Sequence, residues 1–98
     1  MTHTYQIQLS TQLGTRRGVL HWTEQDGALN GTLDLLGQRT SLSGRKRAAD
    51  ACCFSGTIQT PVSCIPYRAV CVLHDTHLQG TFHTVSEDLP VTGERAAQ

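Results

Sequence analysis

The chain has 98 residues, with eight Lys and Arg balanced by eight Asp and Glu. One hydrophobic core is within reach at this length and a two-lobed enzyme is not; formal neutrality removes any net pull toward nucleic acid or an anionic membrane surface. The opening MTHTYQIQLS holds no basic-then-apolar leader, and no window approaches the roughly 18 apolar residues of a membrane span, so the expectation is one cytoplasmic domain over 1–98 with neither nucleic-acid nor membrane partners.

The first element in chain order is YQIQLST from Tyr5, which alternates apolar and polar residues with period two. A turn near Gly14 leads to a second stretch carrying Trp22, and Gln25-Asp26-Gly27 is a hairpin signal. LNGTLDL follows from Leu29, then a turn near Gly37 and Ser41-Leu42-Ser43-Gly44. The basic run Arg45-Lys46-Arg47, continuing to Asp50, reads as a solvated loop. FSGTIQT starts at Phe54, and after a turn near Ser63 comes IPYRAVCVL over 65–73. The turn His74-Asp75-Thr76-His77 precedes LQGTFHT from Leu78; Glu87-Asp88 then leads to Pro90-Val91-Thr92-Gly93.

Three of these phrases share a Gly-Thr pair between apolar residues, with offsets of 25 from Leu29 to Phe54 and 24 from Phe54 to Leu78; a further step of 24 back reaches Tyr5. The second halves of the last three units each begin twelve residues after their phrase, at Ser41, Pro66 and Pro90. Periods of this size point to four copies of one two-strand unit. Tyr5, Ile7 and Leu9 share one phase with Leu29, Leu33, Phe54, Ile58, Leu78 and Phe82, whereas the opposite phase is polar, as in a half-buried antiparallel strand. The expected fold is therefore all-β: an eight-stranded antiparallel up-and-down (meander) barrel built from four two-strand repeats, closure removing the exposed edges. A two-sheet sandwich of the same strands is the alternative.

Gly31, Gly56 and Gly80, with Gly44 and Gly93 on the partner strands, fall in the inward phase. Two reasons fit: a small barrel bends sharply at glycine, and missing side chains open volume for a ligand. All five aromatic residues, Tyr5, Trp22, Phe54, Tyr67 and Phe82, also point inward. They can fill a narrow barrel, or with Cys71 line a pocket for an apolar or aromatic small molecule. On 65–73, Val70 and Val72 face outward, a greasy outer surface that fits a homodimer contact.

Catalytic patterns are weak, and no catalytic, metal or cofactor residue is assigned. His74 and His77 lie in a turn without the helical Glu of a zinc hydrolase, and the four cysteines show no zinc-type spacing, which leaves only a site assembled in space from Cys64, Cys71 and a histidine. They read as small buried or half-buried thiols. His21 and His83 fall in the outward phase, away from Cys71. Three functional readings remain: a binding module, an isomerase- or cyclase-type enzyme confining an intermediate beside Tyr67 or Cys71, and a structural dimer with a solid core.

The repeated L-x-G-T-L and L-x-G-T-F at Leu29 and Leu78 resemble the Gly-Thr strands of avidin-type barrels, and the pattern of the whole chain is similar to the calycin group of lipocalins, fatty-acid-binding proteins and avidins. That resemblance implies an up-and-down barrel holding a small hydrophobic molecule. The lipocalin Gly-x-Trp is absent, Gly18 lying four residues before Trp22. Thr60-Pro61-Val62-Ser63-Cys64-Ile65-Pro66 is similar to the "TP-x-G-x-x-P" of short bacterial β-barrel proteins, with Ser at the Gly position.

Overall fold

The computed structural model describes residues 2–96 and consists of eight strands: β1 (Thr2–Thr11), β2 (Gly14–Gln25), β3 (Ala28–Leu35), β4 (Gln38–Ala48), β5 (Ala51–Gln59), β6 (Cys64–His74), β7 (His77–His83) and β8 (Asp88–Arg95). Each pairs antiparallel with the next, and β1 pairs with β8 to close the barrel. The meander, not the sandwich, is the architecture. Among the described residues, no helix is long and apolar enough to cross a membrane.

Alternation of burial follows the sequence phase. Tyr5, Ile7, Leu9, Leu29, Leu33, Phe54, Ile58, Leu78 and Phe82 are buried, and their immediate neighbours in the chain mostly face water. Burying the largest of these, Trp22, Phe54 and Phe82, contributes about 1.5–3 kcal/mol each. The two-strand repeat also survives as turn chemistry. Thr11, Thr60 and Thr84, one per unit at the end of the first strand, use their hydroxyls to bond the turn backbone at Gly14, Ser63 and Glu87. The second unit has Leu35 there and turns instead through Leu36 (φ 56°) and Gly37 (φ 76°), the left-handed pair that a two-residue hairpin requires. Asp26 (φ 54°) and Gly27 (φ 80°) do the same at the other end of the barrel.

One expectation is overturned. Arg45-Lys46-Arg47 is not a loop: β4 runs to Ala48 and only Ala49-Asp50 turn. The basic run keeps the strand's alternation, so Arg45 and Arg47 are exposed while Lys46 is half-buried at the end of the barrel. A cation tolerates the inward phase there because the barrel opens to water just beyond it.

The inward glycines owe their place to close approach between strands. Gly31 lies opposite Trp22, Gly44 opposite Phe54 and Gly80 opposite Cys71. A Cβ on Gly31 would strike the His21 carbonyl oxygen and stand 2.6 Å from Trp22 Cα; on Gly44 it would strike the Cys53 carbonyl and stand 2.6 Å from Phe54 Cβ; on Gly80 it would strike the Val70 carbonyl and stand 2.8 Å from Cys71 Sγ. Curvature, then, is what glycine supplies at these three positions, and the side chain across the ladder occupies the space released. Gly44→Ala is expected to destabilise the fold by about 3 kcal/mol, the upper range for overpacking. Urea unfolding followed by Trp22 fluorescence checks this, with exposed Gln79→Ala as the variant that changes little.

Candidate functional site

The odd-numbered connections and the even-numbered ones gather at opposite ends of a meander barrel. At the end holding the 26–27, 49–50 and 75–76 turns and both termini of the strand set, the inward phase runs out into charged residues. His3, Tyr5, Trp22, Glu24, Leu29, Lys46, Ala49, Leu73, Asp75 and Arg95 line a cavity of about 180 Å3 there. Four backbone hydrogen bonds stitch the rim: Lys46 N to Gly27 O, Leu73 N to Asp50 O, Arg95 N to Thr76 O and Ala96 N to Thr4 O, all between 2.6 and 2.8 Å. The mouth is thus preformed by backbone bonding.

Its floor is apolar and its wall is charged. Tyr5 and Trp22 lie with ring centroids 5.2 Å apart, and His3 is 6.2 Å from Trp22. Lys46 Nζ is 3.3 Å from Glu24 Oε1 across the wall. Arg95 Nη2 donates to His3 Nδ1 at 2.8 Å. A guanidinium cannot accept, so His3 Nδ1 carries the lone pair and its proton sits on Nε2 in the neutral ring. Burial and the Arg95 charge both hold the His3 pKa below its ordinary value. Burial pushes the Tyr5 phenol up, so it stays a neutral donor.

Of the six residues expected to line a pocket, only Tyr5 and Trp22 reach this cavity. The other rings continue downward in file: Trp22 to Phe54 at 5.8 Å, Phe54 to Phe82 at 5.8 Å edge-on, and Tyr67 stacked on Phe82 at 4.5 Å. Spacings of this kind are direct aromatic contact. Tyr67 is buried with its hydroxyl turned toward Gly56, and that oxygen has no hydrogen-bond partner among the described residues; burial drives its pKa far up. Cys71 is buried in β6 facing Gly80 on one side and Cys52 on the other. The neighbouring Cys71 thiol lowers the pKa of Cys52, while Cys52 and burial push that of Cys71 up and keep it protonated.

Sequence reasoning missed His3, Glu24, Lys46 and Arg95, because charged residues at strand ends look like loop. It also missed Cys52, for which a signal existed: 52 and 71 are equidistant from the centre of the 60–63 loop, hence opposite in a hairpin. Cys64 is exposed at the far end of β6 from Cys71, so the two do not meet, and no group of three His, Cys, Asp or Glu gathers as a metal site among the described residues. A broader concavity of about 640 Å3 lies on the outer face of β8–β1–β2, lined by Gln6, Gln8, Arg17, Val19, Thr92 and Glu94 among others. It is open and polar, and His77 is the one ring on its lining, so it offers a ligand little desolvation.

Fold and site together describe a closed eight-stranded meander barrel with a small end-on cavity. The chain is similar in structure to a redesigned β-barrel, with a TM-score of 0.70 over 97% of this chain and 89% of that one at 16% sequence identity. That likeness shows the fold. No protein-family model matches the chain, and no curated protein matches it in sequence.

The His3–Arg95 contact has a measurable sign. The folded pKa of His3 lies below the unfolded value, so the contribution is fully present above the ordinary imidazole range and is lost as pH falls through that range toward the folded pKa. Arg95→Met removes the neighbouring charge and the donated bond, and is expected to raise the His3 pKa and shrink the acid-side loss of stability. NMR titration of the imidazole resonances, with thermal unfolding across the same pH range, measures both.

Proposed function

We propose that this protein is a calycin-like small-molecule-binding barrel that takes a compact aromatic anion, such as an aromatic carboxylate, at its mouth. One observation carries the reading: the Trp22 and Tyr5 rings form the floor of a preformed cavity whose wall holds the cations Lys46 and Arg95, Lys46 paired with Glu24 and Arg95 bonded to the neutral His3, with Asp75 also on the lining. A planar ring would lie on Trp22 and its anionic group would accept from Arg95 or Lys46, a charge-assisted bond in a partly desolvated setting. Phe54, Tyr67, Phe82 and Cys71 stand behind that floor and hold it rigid. At about 180 Å3 the cavity is below the roughly 300 Å3 at which drug-sized sites begin, so the ligand is small. A cytoplasmic setting is part of the proposal. It is supported by the four free thiols and by an outward phase rich in Gln, Ser and Thr, where a membrane barrel would turn an apolar band to lipid.

Benzoate titrated against the fluorescence of Trp22, the single tryptophan, tests it. Saturable quenching is expected, weakened about tenfold by Arg95→Gln or Lys46→Gln, the worth of one charge-assisted bond. Absence of saturable binding by benzoate and by indole-3-carboxylate would remove the reading.

Outward valines on β6 support a second element, a homodimer. Val70 and Val72 are 44% and 38% exposed on consecutive outward positions of one strand, and Cys53 and Ala51 lie opposite them on β5. Val70→Asp is expected to convert a dimer to a monomer in sedimentation velocity with the circular dichroism spectrum unchanged. A wild-type protein that sediments as a monomer at high concentration would sink it.

A further inference from the structure

Cys52 and Cys71 are the two most deeply placed thiols, 1% and 0% exposed, and they sit directly opposite each other on β5 and β6 with both side chains in the inward phase. Two positions away on the same ladder, Leu73 N donates to Asp50 O. Hydrogen-bonded and non-hydrogen-bonded pairs alternate along an antiparallel ladder, so Cys52 and Cys71 form a hydrogen-bonded pair, whose Cα atoms stand about 5.5 Å apart. Disulfides span Cα separations of about 4.4–6.8 Å, most often about 5.5–6 Å. Backbone register therefore sets the Cα separation within bridging range, and the Cβ atoms, about 5.5 Å apart at such a pair, must close to the roughly 3.5–4.5 Å that a disulfide spans. On the other flank of Cys71, Gly80 carries no Cβ that would stand 2.8 Å from its Sγ, so the thiol is accommodated there.

We propose that Cys52 and Cys71 are a reversible dithiol–disulfide site, oxidised inside the barrel by a small hydroperoxide that enters through the mouth. Cys52 is the attacking thiol. It pairs across β4–β5 with Lys46, which lines the mouth, and the ladder register slips between Lys46 and Ala48 right beside it. That irregularity is where the wall nearest Cys52 is least bonded. The neighbouring Cys71 thiol, and more weakly Lys46, favour its thiolate against the burial and the Glu24 charge that oppose it. In the first step the Cys52 thiolate attacks the terminal peroxide oxygen. An S–O bond forms and the O–O bond breaks; the alkoxide leaves and takes up the proton that Cys52 had released, giving an alcohol and a sulfenic acid. In the second, Cys71 Sγ attacks Cys52 Sγ, the S–S bond forms, the S–O bond breaks, and hydroxide leaves with the Cys71 proton as water. Two thiols are oxidised, one hydroperoxide is reduced, and added dithiol reverses the change. None of this requires a ligand in the mouth.

The double variant Cys53→Ser/Cys64→Ser keeps only this pair and tests the proposal in the folded protein. Treated with hydrogen peroxide and digested with trypsin under non-reducing conditions, it is expected to yield one linked peptide joining the segments ending at Arg68 and at Arg95, lost on reduction. In Cys71→Ala on the same background, Cys52 should instead stop at a sulfenic acid captured by dimedone. The proposal is overturned if linkage appears only in denaturant or only between chains. Two unmodified thiols after prolonged peroxide treatment of the folded double variant, with circular dichroism confirming the barrel, would overturn it equally.

Discussion

The barrel rests on a steric exchange repeated around its wall: where one strand presents a large inward side chain, the strand beside it presents glycine. Trp22 faces Gly31, Phe54 faces Gly44 and Cys71 faces Gly80. Eight strands can close around an interior of this width only if neighbouring backbones approach closely at some points, and at those points no Cβ fits. The released space is taken at once by the side chain across the ladder. Packing and curvature are thus one constraint. It also helps so few aromatic residues suffice: Trp22, Phe54 and Tyr67 each cover a neighbour's glycine as well as their own strand.

The same stack supports the mouth. Because Phe54, Phe82 and Tyr67 support Trp22 from below, the indole and the Tyr5 ring form a firm floor instead of collapsing inward. Above that level the strands still alternate, but their inward positions meet water and carry His3, Glu24, Lys46 and Arg95. The Lys46–Glu24 ion pair and the Arg95–His3 bond hold these groups at the wall, where the two cations are matched by two carboxylates, Glu24 and Asp75. A charged rim over an aromatic floor is what an amphipathic planar molecule would meet.

Most of the architecture was legible because period-two alternation survives in every unit and the Gly-Thr phrase fixes the unit length. Lys46 marks the limit of that legibility. Its alternation is intact, yet three consecutive basic residues resemble a loop unless the open end of the barrel is already known. His3 and Arg95 are harder still, since they meet only through closure of β1 on β8, a pairing between opposite ends of the chain. Whether the aromatic side chains touch or leave a void depends on rotamers and strand stagger, neither of which composition encodes. Cys52 and Cys71 were within reach of hairpin counting; adjacent Cys52 and Cys53 drew attention to sequence neighbours, while the register chose a partner nineteen positions away.

Every interface of the barrel except β8–β1 joins strands that are consecutive in sequence. Hairpins of that kind form on the microsecond scale with little chain entropy lost, whereas the final seam must bring together residues at opposite ends of the chain. The kinetic difficulty of this molecule is therefore concentrated in one event, the docking of Tyr5 beside Arg95 and Ile7 beside Gly93. Until that event the two outer strands are unpaired edges with one greasy face, able to recruit the same edge of another molecule. The seam that completes the mouth is also the point at which an intramolecular barrel and an exchanged assembly part ways.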